Sequence, residues 1–502
     1  MVGAVGQQLV LGVDIGTGSS KGVLVDLDGR RVATAVREHR TSSPAPGHVE
    51  MPMDTWWQEL VEITRECLAA VGPGHRVVSV GVSGMGPCVG IADAQGRPLR
   101  PAVLYGVDAR ASEQIVALTA ELGAAEVLER TGSALSTQAV GPKLAWLAQH
   151  EPEVFARARM LFMPSSWLVH RLTGRYVLDH HSASQSNPLY DRGAQQWYRP
   201  WADRIAPQLE LPELLWPGEE AGRVTAEAAA ATGLPEGTPV VAGTVDAWAE
   251  AVSVGAQRVG DLMLMYGTTM FLVHTTGSPV TAPGLWGTNG TREGTHSLAG
   301  GMATSGAITA WLRELVGSPS YERLLEEARD AGPGAGGLLM LPYFAGERTP
   351  VADPDARGVV AGLTTQHARG HLYRAALEAT AMGVRHNVDA LRAAGGDIRR
   401  VVAVGGGTQG DLWTQVVSDV TGLTQELPTT TVGASYGGAF LAAGLVADVS
   451  IDDWNPVLAQ RVPDPALADL YAARYDAYRE LYRATRPVVH ALAREGRAHV
   501  EG

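Results

Sequence analysis

Apolar residues are grouped along this chain in short runs, and the runs end at turns that contain glycine. The first run is LVLGVDI at Leu9 to Ile15, which is followed by Gly16-Thr17 and by a second apolar stretch, KGVLVDLDG. That stretch ends at Asp28-Gly29, a dipeptide that favours hairpin turns. Short apolar runs bounded by turn residues are typical of buried strands, so the pattern predicts two neighbouring strands at the start of the chain.

A similar unit recurs half a chain later. Asp261 to Tyr266, DLMLMY, is followed by Gly267-Thr268-Thr269 and by another apolar run, MFLVHTTG. Two strand, Gly-Thr turn and strand units at this spacing indicate a duplicated domain rather than a solenoid of short repeats. We therefore place a domain boundary near Gly255.

Strands alternate with helices in the rest of the chain, and this alternation is typical of layered α/β domains. Helical spacing of apolar residues predicts helices at Asp54 to Ala70, Thr304 to Val316, Gly370 to Ala394 and Leu412 to Thr421. Continuous apolar runs predict strands at Val77 to Ser83, Pro239 to Thr244 and Arg400 to Val404. Residues 332–337, GPGAGG, predict a loop, and the tail from Pro463 to Ala498 predicts exposed terminal helices.

Length and composition argue against several classes of protein. A chain of 502 residues exceeds one ordinary core, so two large domains or a few smaller ones are expected. The formal net charge of -13 argues against nucleic-acid binding, because no basic stripe is present to neutralise phosphates. Two cysteines without a CxxC pair argue against a secreted protein and a zinc site. Met1 to Val10 shows no signal-peptide pattern and no apolar run spans a bilayer, so we expect a cytoplasmic protein.

The first candidate for chemistry is the pattern Asp14-x-Gly16-Thr17-x-x-x-Lys21. It lacks the Gly-Lys-Ser/Thr end of a P-loop and the last glycine of a dinucleotide fingerprint. It does place an acid at a strand end beside a turn with free N–H groups and a hydroxyl, which suits hydrated Mg²⁺ and phosphates. The alternative is a hairpin in which Asp14 only bonds the turn backbone.

Three later segments favour the interpretation of this turn as a site for Mg²⁺ and phosphates. The turn Gly267-Thr268-Thr269 could hold a polyphosphate from the opposite side of a cleft. Gly405-Gly406-Gly407-Thr408 lies between a strand and a helix, where glycine lets a ring or a phosphate approach the backbone. Asp246 follows a strand and a Gly-Thr turn and opens a helix. It is therefore either a helix cap or the group that accepts a hydroxyl proton during phosphoryl transfer.

The order of these motifs resembles that of the FGGY carbohydrate kinases over nearly the whole chain. The most specific segment is GVVAGLTTQHARGHLYRAALE at Gly358 to Glu378, which resembles the C-terminal signature of the family. GERTPVADPDARG at Gly346 to Gly358 resembles the xylulokinases in particular. Pro142 to His150 resembles the N-terminal signature, with Val140 where the family more often has Ser, Thr or Pro.

The resemblance implies an α/β, two-domain, actin-like ATPase (ribonuclease H-like) fold with duplicated domains and a cleft between them. Residues 1–254 would form the N-terminal domain, with the sugar site, the first phosphate loop and the catalytic aspartate. Residues 255–502 would form the nucleotide-binding C-terminal domain with a helical tail. The resemblance further implies ATP and Mg²⁺ as cofactors, a small-molecule sugar as substrate and no nucleic-acid or membrane partner. It is compatible with a homodimer, although no residue marks an interface.

The resemblance also assigns roles to residues. Asp246 matches the catalytic aspartate, and Asp14 matches the acid that helps to hold Mg²⁺ through water, with Asp246 as the second metal-side carboxylate. Ala310 stands where some members have a glutamine that contacts the nucleotide. Cofactor contacts are expected at Asp14, Gly16, Thr17, Lys21, Gly267, Thr268, Thr269, Gly306, Gly406, Gly407 and Asp411.

The substrate side departs from the family pattern. Xylulokinases share a Gln-Met-His-Gly segment, where this chain has SGMGPC at Ser83 to Cys88, without His; Met85 and Gly86 are expected near the sugar. Asp108 resembles the aspartate of a Trp-x-Asp-x-Arg region and is either a sugar ligand or a structural partner of Arg110. Ala247 stands where Asn or Gln often follows the catalytic aspartate. The expected substrate is a small ketose or polyol, with D-xylulose as first candidate and ribulose, gluconate, erythritol and glycerol as alternatives.

Other conspicuous residues have simpler explanations. Asp179-His180-His181 resembles a metal site but has no further ligands at suitable spacing. Trp56-Trp57 suits helix packing as well as carbohydrate stacking. Gly433 to Gly437 fits the G-x-S-x-G pattern and raises the hypothesis of a serine hydrolase built on Ser435, although its flanks do not suit that motif. A third hypothesis is a non-catalytic sensor of sugar or nucleotide, against which the presence of both Asp14 and Asp246 argues.

Overall fold

A computed structural model describes residues 7–72 and 74–501 of the chain. Residues 1–6, which belong to the stretch where no signal peptide is seen, lie outside the described residues. Within the described residues, each half of the chain forms one seven-stranded mixed sheet. The two sheets are the centres of two α/β layers. The predicted α/β, two-domain, actin-like fold is therefore confirmed.

The strands of the first half are β1 (Gln8–Ile15), β2 (Ser19–Asp26), β3 (Arg31–Glu38), β4 (Glu50–Met51), β5 (Arg76–Gly84), β6 (Gly90–Ala92), β7 (Ala102–Val103), β8 (Met160–Phe162), β9 (Val177–Asp179), β10 (Tyr190–Asp191), β11 (Gln196–Trp197), β12 (Glu213–Leu215), β13 (Glu220–Arg223), β14 (Pro239–Val241) and β15 (Thr244–Val245). Its helices are α1 (Met53–Val71), α2 (Ser112–Leu122), α3 (Ala124–Thr131), α4 (Val140–His150), α5 (Pro152–Arg157), α6 (Pro164–Thr173), α7 (His180–Ser184), α8 (Arg199–Ile205), α9 (Ala226–Thr232) and α10 (Asp246–Ser253).

The strands of the second half are β16 (Asp261–Tyr266), β17 (Met270–Thr276), β18 (Trp286–Asn289), β19 (His296–Met302), β20 (Leu339–Leu341), β21 (Val359–Ala361), β22 (Arg400–Val404), β23 (Gln425–Pro428) and β24 (Val457–Arg461). Its helices are α11 (Gly306–Leu315), α12 (Tyr321–Asp330), α13 (Arg369–Ala393), α14 (Asp411–Thr421), α15 (Ala434–Ala443), α16 (Ile451–Trp454) and α17 (Ala468–Glu501). Short 3-10 helices occupy Ala335–Gly337, Gly406–Gln409 and Pro465–Leu467.

The two sheets repeat one topology. In the first, β1 pairs antiparallel with β2 and parallel with β5. In the second, β16 pairs antiparallel with β17 and parallel with β22. The Gly-Thr turn follows the first strand of each unit, so the repeat seen in the sequence corresponds to a repeated supersecondary unit.

Helices α10 and α15 lie between the sheets and pack against each other. Although α15 belongs to the second half, it packs on β1 and β5 of the first sheet at backbone distance. A Cβ atom added to Gly12 would lie 1.9 Å from the Ser435 carbonyl oxygen, and one added to Gly81 would lie 1.9 Å from the Gly438 carbonyl oxygen. Only glycine permits this approach, so the position of α15 depends on these residues.

Strand alternation sends Asp14 to the same side of the sheet as α15. Leu9, Leu11 and Val13 pack in the core that α1 covers, whereas Val10 packs with α15. Because successive side chains alternate between faces, Asp14 follows Val10 and Gly12 toward α15 and α10. This alternation brings an acid at the end of β1 to the space between the two halves.

Two predicted elements differ from the structure. The strand predicted at Pro239 to Thr244 is divided into β14 and β15 by Gly243, which has φ +71° and whose added Cβ would lie 2.1 Å from the Val82 carbonyl oxygen. The tail is one long helix, α17, rather than exposed helices, because Tyr471 and Tyr478 are buried in the core of the second half. Within the described residues, none of the helices combines the length and apolar character needed to span a bilayer.

Candidate active site

A cleft of about 640 Å³ lies between the two halves, at the carboxyl ends of the central strands. It is lined by the turn after β1, the start of α10, the loop before α15 and the strands β17 and β18. The carboxyl edge of an open α/β sheet is where ligands usually bind, because loops and helix N-termini converge there.

Asp14 and Asp246 face this cleft from neighbouring parts of one sheet. Asp14 lies near the end of β1, and Asp246 directly follows β15; both strands run parallel to β5, on its two sides. Two strand spacings separate their backbones by roughly 10 Å. Ser83 on the intervening strand donates a hydrogen bond of 2.8 Å to Asp14 Oδ1, and the Ala247 backbone N–H donates one of 2.7 Å to Asp246 Oδ1.

The cleft concentrates negative charge. Burial raises the pKa of Asp14, and the neighbouring Asp246 raises it further. Burial likewise raises the pKa of Asp246. Glu250, one helical turn after Asp246 on α10, has its pKa raised to about 7, chiefly by burial, with Lys21 acting in the opposite direction. Three carboxyl groups with one nearby lysine form a site that favours binding of a cation.

The donor set fits a hydrated divalent cation rather than a fully enclosed one. Among the described residues, no three His, Cys, Asp or Glu side chains are close enough to enclose a metal ion. Mg²⁺ usually retains several waters and is bound by one or two carboxylates together with substrate phosphates. Asp14 and Asp246, which lie on the two sides of β5, match a hydrated cation held by two carboxylates.

The first Gly-Thr turn is held in place by side chains. Gly16 N–H bonds to the Ser19 carbonyl, and the imidazole Nε2 of His39 lies 3.1 Å from the carbonyl oxygens of Gly16 and Thr17. Thr17 Oγ1 and the Tyr105 hydroxyl share a hydrogen bond of 2.9 Å. Gly16, Thr17 and Lys21 all line the cleft, as the sequence predicts for a phosphate loop.

Lys21 links this turn to the loop before α15. Its ammonium group donates a hydrogen bond of 2.6 Å to the Val432 carbonyl oxygen, and burial lowers its pKa. Residues 432–435, which include the first residues of α15, line the cleft. The position of α15 on the first sheet therefore determines where the Lys21 charge is held.

The second Gly-Thr turn contributes one side chain to the cleft. Thr269 lines it, whereas Gly267 and Thr268 lie against the start of α11. Gly306 donates its N–H to the Gly267 carbonyl, and an added Cβ on Gly306 would lie 2.6 Å from that oxygen. Gly306 therefore has a packing role in this structure, and its contact with a nucleotide stays a prediction.

The remaining predicted nucleotide residues lie outside the cleft lining. A Cβ on Gly406 would meet no described atom within 4 Å, whereas one on Gly407 would lie 2.7 Å from the Trp413 ring. Asp411, at the start of α14, accepts a hydrogen bond of 2.9 Å from Arg461. The structure brings these residues together at the end of β22, and their role as nucleotide contacts stays a prediction.

The predicted sugar ligands have different outcomes. Gly86 lines the cleft, whereas Met85 is buried in the core of the first half. Asp108 is 1% exposed and is not part of the cleft lining. Its carboxylate accepts from the side chain and the backbone N–H of Arg110 and from the Val49 backbone N–H, at 2.6 to 3.1 Å. Of the two alternatives left open, the structure supports the structural pair.

Several cleft residues were missed by the sequence analysis. Glu250 could have been predicted from its spacing, because it stands four residues after Asp246 and so lies on the same helix face. Gln185, Asn187 and Trp286 line the cleft without any local motif, and Arg348 lines it from the segment Gly346 to Gly358, in which no single residue was assigned a role. Their positions depend on how α7 and the second sheet meet, which no short pattern encodes.

The other conspicuous residues have structural roles. Asp179 caps α7 and accepts from Thr244, and no metal cluster is found among the described residues. Trp56 is buried and donates to the Met51 sulfur at 2.9 Å. Ser435 lies in the first turn of α15, and its buried hydroxyl contacts no partner among the described residues. A serine nucleophile requires a base within hydrogen-bonding distance, so the structure does not support the hydrolase hypothesis.

Comparison with known proteins identifies the relatives of this chain. Residues 9–253 match the family model for the N-terminal domain of the FGGY family of carbohydrate kinases, and residues 262–445 match that for its C-terminal domain. The chain is 29% identical to the xylulose kinase of Escherichia coli, covering 96% of this chain and 100% of the relative. It is 32% identical to the glycerol kinase of Nocardia farcinica, with coverage of 87% and 91%. The crystal structure of a xylulose kinase from Rhodospirillum rubrum matches with TM-score 0.90 at 33% identity, over 96% of this chain and 100% of that one.

Proposed function

Because the chain belongs to the FGGY family of carbohydrate kinases, and is therefore a phosphotransferase, we propose that it transfers the γ-phosphoryl group of ATP to a hydroxyl of a small ketose, with D-xylulose as the first candidate. One observation carries the proposal. Asp14 and Asp246 face a single cleft together with Thr17 and Thr269, one from each of the two Gly-Thr turns. This combination supplies a base, a cation site and phosphate donors at one place.

Asp246 acts as the general base in this proposal. Its carboxylate takes the proton from the attacking hydroxyl as the bond to phosphorus forms. Burial raises its pKa, which makes the carboxylate a stronger proton acceptor while leaving it ionised near neutral pH. The Ala247 backbone N–H holds Oδ1, so that Oδ2 is free to face the substrate.

Asp14 and Asp246 would hold Mg²⁺ through water. When bound, Mg²⁺ supplies charge neutralisation of the ATP phosphates. In this proposal Thr17 and Lys21 orient the phosphates from the first half, and Thr269 does so from the second. Gly306, Gly406, Gly407 and Asp411 are proposed to contact the nucleotide.

We further propose that the two sheets are the centres of two lobes, with α15 moving together with the first sheet on which it packs, and that closure of the lobes excludes water from the cleft. An open site would allow ATP hydrolysis without a sugar, so closure protects the phosphoryl group. The cleft wall supports this proposal, because residues of β17 and β18 from the second sheet line the same cleft as residues of the first half. The cytoplasmic location and the homodimer stay predictions.

The choice of sugar rests on the relatives. Xylulose kinases from several bacteria resemble the chain over nearly its whole length, and a glycerol kinase resembles it at slightly higher identity over a shorter part. The missing His in the segment containing Met85 and Gly86, and Ala247 after the base, separate this chain from the xylulokinase pattern. Ribulose, gluconate, erythritol and glycerol are therefore the alternatives.

The test is Mg²⁺-dependent ADP release with D-xylulose, D-ribulose, L-ribulose, glycerol, erythritol and gluconate. One strong responder that depends on both ATP and Mg²⁺ would support the proposal and identify the substrate. ADP release that does not rise above the sugar-free rate with any of them would contradict it. Phosphorylation of glycerol in preference to every ketose would retain the kinase and replace the substrate.

A further inference from the structure

One wall of the cleft contains polar groups that bond to no protein atom among the described residues. Asn187 is 8% exposed and its Oδ1 has no partner, and Thr288 is 4% exposed and its Oγ1 has none. Both residues line the cleft, and Gln185 lies beside them. Buried polar groups are nearly always hydrogen-bonded, so unpartnered ones that face a cleft indicate the place of a polar ligand.

The orientation of Gln185 is determined by His181, one helical turn before it. His181 is fully buried, and its ring packs against the Trp248 ring with 4.0 Å between centroids and an angle of 35° between the ring planes. Its Nδ1 lies 2.7 Å from the Asn289 carbonyl oxygen. A carbonyl oxygen only accepts hydrogen bonds, so Nδ1 carries the proton.

The second ring nitrogen of His181 then determines the orientation of the Gln185 amide. Burial lowers the pKa of His181 to about 3, so the ring is neutral and Nε2 is an acceptor. The Gln185 amide nitrogen lies 2.6 Å from Nε2 and donates to it. The amide oxygen Oε1 is therefore directed away from His181, and no described donor contacts it.

We propose that Gln185 Oε1 accepts a hydrogen bond from a substrate hydroxyl, that Asn187 and Thr288 bind the same region of the substrate, and that His181 is the residue that positions Gln185. This assignment rests on the proposed kinase function and specifies its substrate as a neutral polyhydroxyl compound. A ketone oxygen cannot serve at Gln185, because it has no proton to donate.

The charge of this wall supports a neutral substrate. Apart from Arg348, which also lines the cleft, the polar groups here are the uncharged side chains of Ser133, Ser136, Gln138, Gln185, Asn187 and Thr288. Burial and the Asn289 carbonyl set the pKa of His181, and no charged side chain contributes. A carboxylate of a sugar acid bound against these uncharged side chains would be desolvated, which is costly, and the Arg348 guanidinium already donates to the Met302 carbonyl oxygen.

The residues that orient Gln185 come from both halves of the chain. His181 and Gln185 belong to the α7 region, whereas Asn289 ends β18 of the second sheet. Asn289 also bonds through its N–H to Ser184 Oγ at 3.0 Å and through its amide nitrogen to the Tyr190 hydroxyl at 2.8 Å. The orientation of Gln185 is therefore tied to the contact between the halves, as expected for a sugar site completed by both.

The first test removes the hydrogen-bonding group. Gln185→Met keeps the side-chain length and should raise the KM for the best neutral sugar by roughly 3- to 10-fold, the effect of one lost hydrogen bond between uncharged groups. The KM for ATP should not change. Gln196→Met, at an exposed position in β11, is the matched control and should match the unaltered protein.

The second test separates positioning by His181 from general packing. His181→Gln retains an acceptor near the Nε2 position, whereas His181→Asn retains a donor near the Nδ1 position; both lose the ring and its contact with Trp248. The asparagine variant should raise the sugar KM as Gln185→Met does, and the glutamine variant should stay close to the unaltered protein. Equal KM values in the two variants would overturn the positioning role.

Deoxy analogues of the sugar that serves as substrate identify the hydroxyl that donates to Gln185 Oε1. One analogue should lose kcat/KM with the unaltered protein and lose nothing further with Gln185→Met, which is the signature of a direct pair. An unchanged sugar KM in Gln185→Met would overturn the inference while the kinase function stands. A preference for gluconate over all neutral sugars would overturn the neutral substrate class. Absence of both phosphorylation and sugar-induced change in tryptophan fluorescence would remove the proposed function and this inference together.

Discussion

Gly81→Ala is expected to damage catalysis from a position that does not face the cleft. Gly81 lies in β5, and its added Cβ would be 1.9 Å from the Gly438 carbonyl oxygen of α15. Cβ atoms essentially never approach another atom within 3.0 Å, so α15 would have to move by at least 1.1 Å, the difference between the two distances. Overpacking of this kind costs about 1–3 kcal/mol of folding free energy.

The movement would be transmitted to the active site. Residues 432–435, which lead into α15, line the cleft, and the Val432 carbonyl accepts a hydrogen bond from the Lys21 ammonium group. A displacement of about 1 Å in a catalytic group can reduce the rate by about 100-fold. We therefore expect a folded Gly81→Ala protein with a lower melting temperature and a kcat/KM reduced by about that factor.

The assay is ADP release at varied sugar concentration, together with calorimetric melting of the same preparation. Gly74→Ala is the control, because it lies just before the same strand and its Cβ would meet no described atom within 4 Å. A Gly81→Ala protein with unaltered melting and unaltered kcat/KM would show that the close approach of α15 to β5 does not position the cleft.

Further results are expected at other positions. The rate should fall in acid with a midpoint above about 4, the ordinary carboxyl value, because burial raises the pKa of Asp246 and only its ionised form accepts a proton; a kcat/KM that stays level down to that value would contradict this. Arg374→Met should lower the free energy of unfolding in urea by about 1.5–3 kcal/mol, because Glu378 would lose one charged donor at a site where both are nearly fully buried, while Arg474 stays 3.5 Å away; a loss below about 1 kcal/mol, typical of exposed pairs, would contradict it. Asp108→Asn should lower the melting temperature through its buried pair with Arg110, with little change in sugar KM; a change confined to sugar KM would return Asp108 to the sugar site.

The central strands could be predicted from the sequence because their signals are local. Asp261–Tyr266 and Arg400–Val404 were predicted at the bounds that the structure shows, and β1 differs by one residue. Each is an apolar run that ends at glycine, and each is buried on both faces between helices. For such strands, hydrophobicity alone gives the element and its ends.

The division of β14 from β15 could not be predicted, because it depends on a contact between strands. Gly243 adopts a left-handed conformation and lies against the backbone of Val82 in β5. The break lets Thr244–Val245 form a separate parallel pairing that ends at Asp246. The sequence shows the Gly-Thr pair but not the neighbour that requires it.

The candidate site was predicted in part for the same reason. Asp14, Thr17 and Lys21 form one short motif, so their common position follows from the sequence. The sugar wall combines Gln185 with Thr288, which are brought together by the contact between the halves. The buried tyrosines of α17 are a different case, because Tyr471, Tyr475 and Tyr478 recur at helical spacing and the signal was present in the sequence.

Asp246→Ala gives the most direct test of the proposed mechanism. Loss of a general base typically reduces the rate by roughly 100- to 10,000-fold, so turnover of the best sugar at saturating ATP and Mg²⁺ should fall within that range. ATP binding measured by calorimetry should be retained, because the nucleotide is proposed to bind mainly the second half. A variant that turns over within about tenfold of the unaltered protein would remove Asp246 from the chemistry and contradict the mechanism proposed for this cleft.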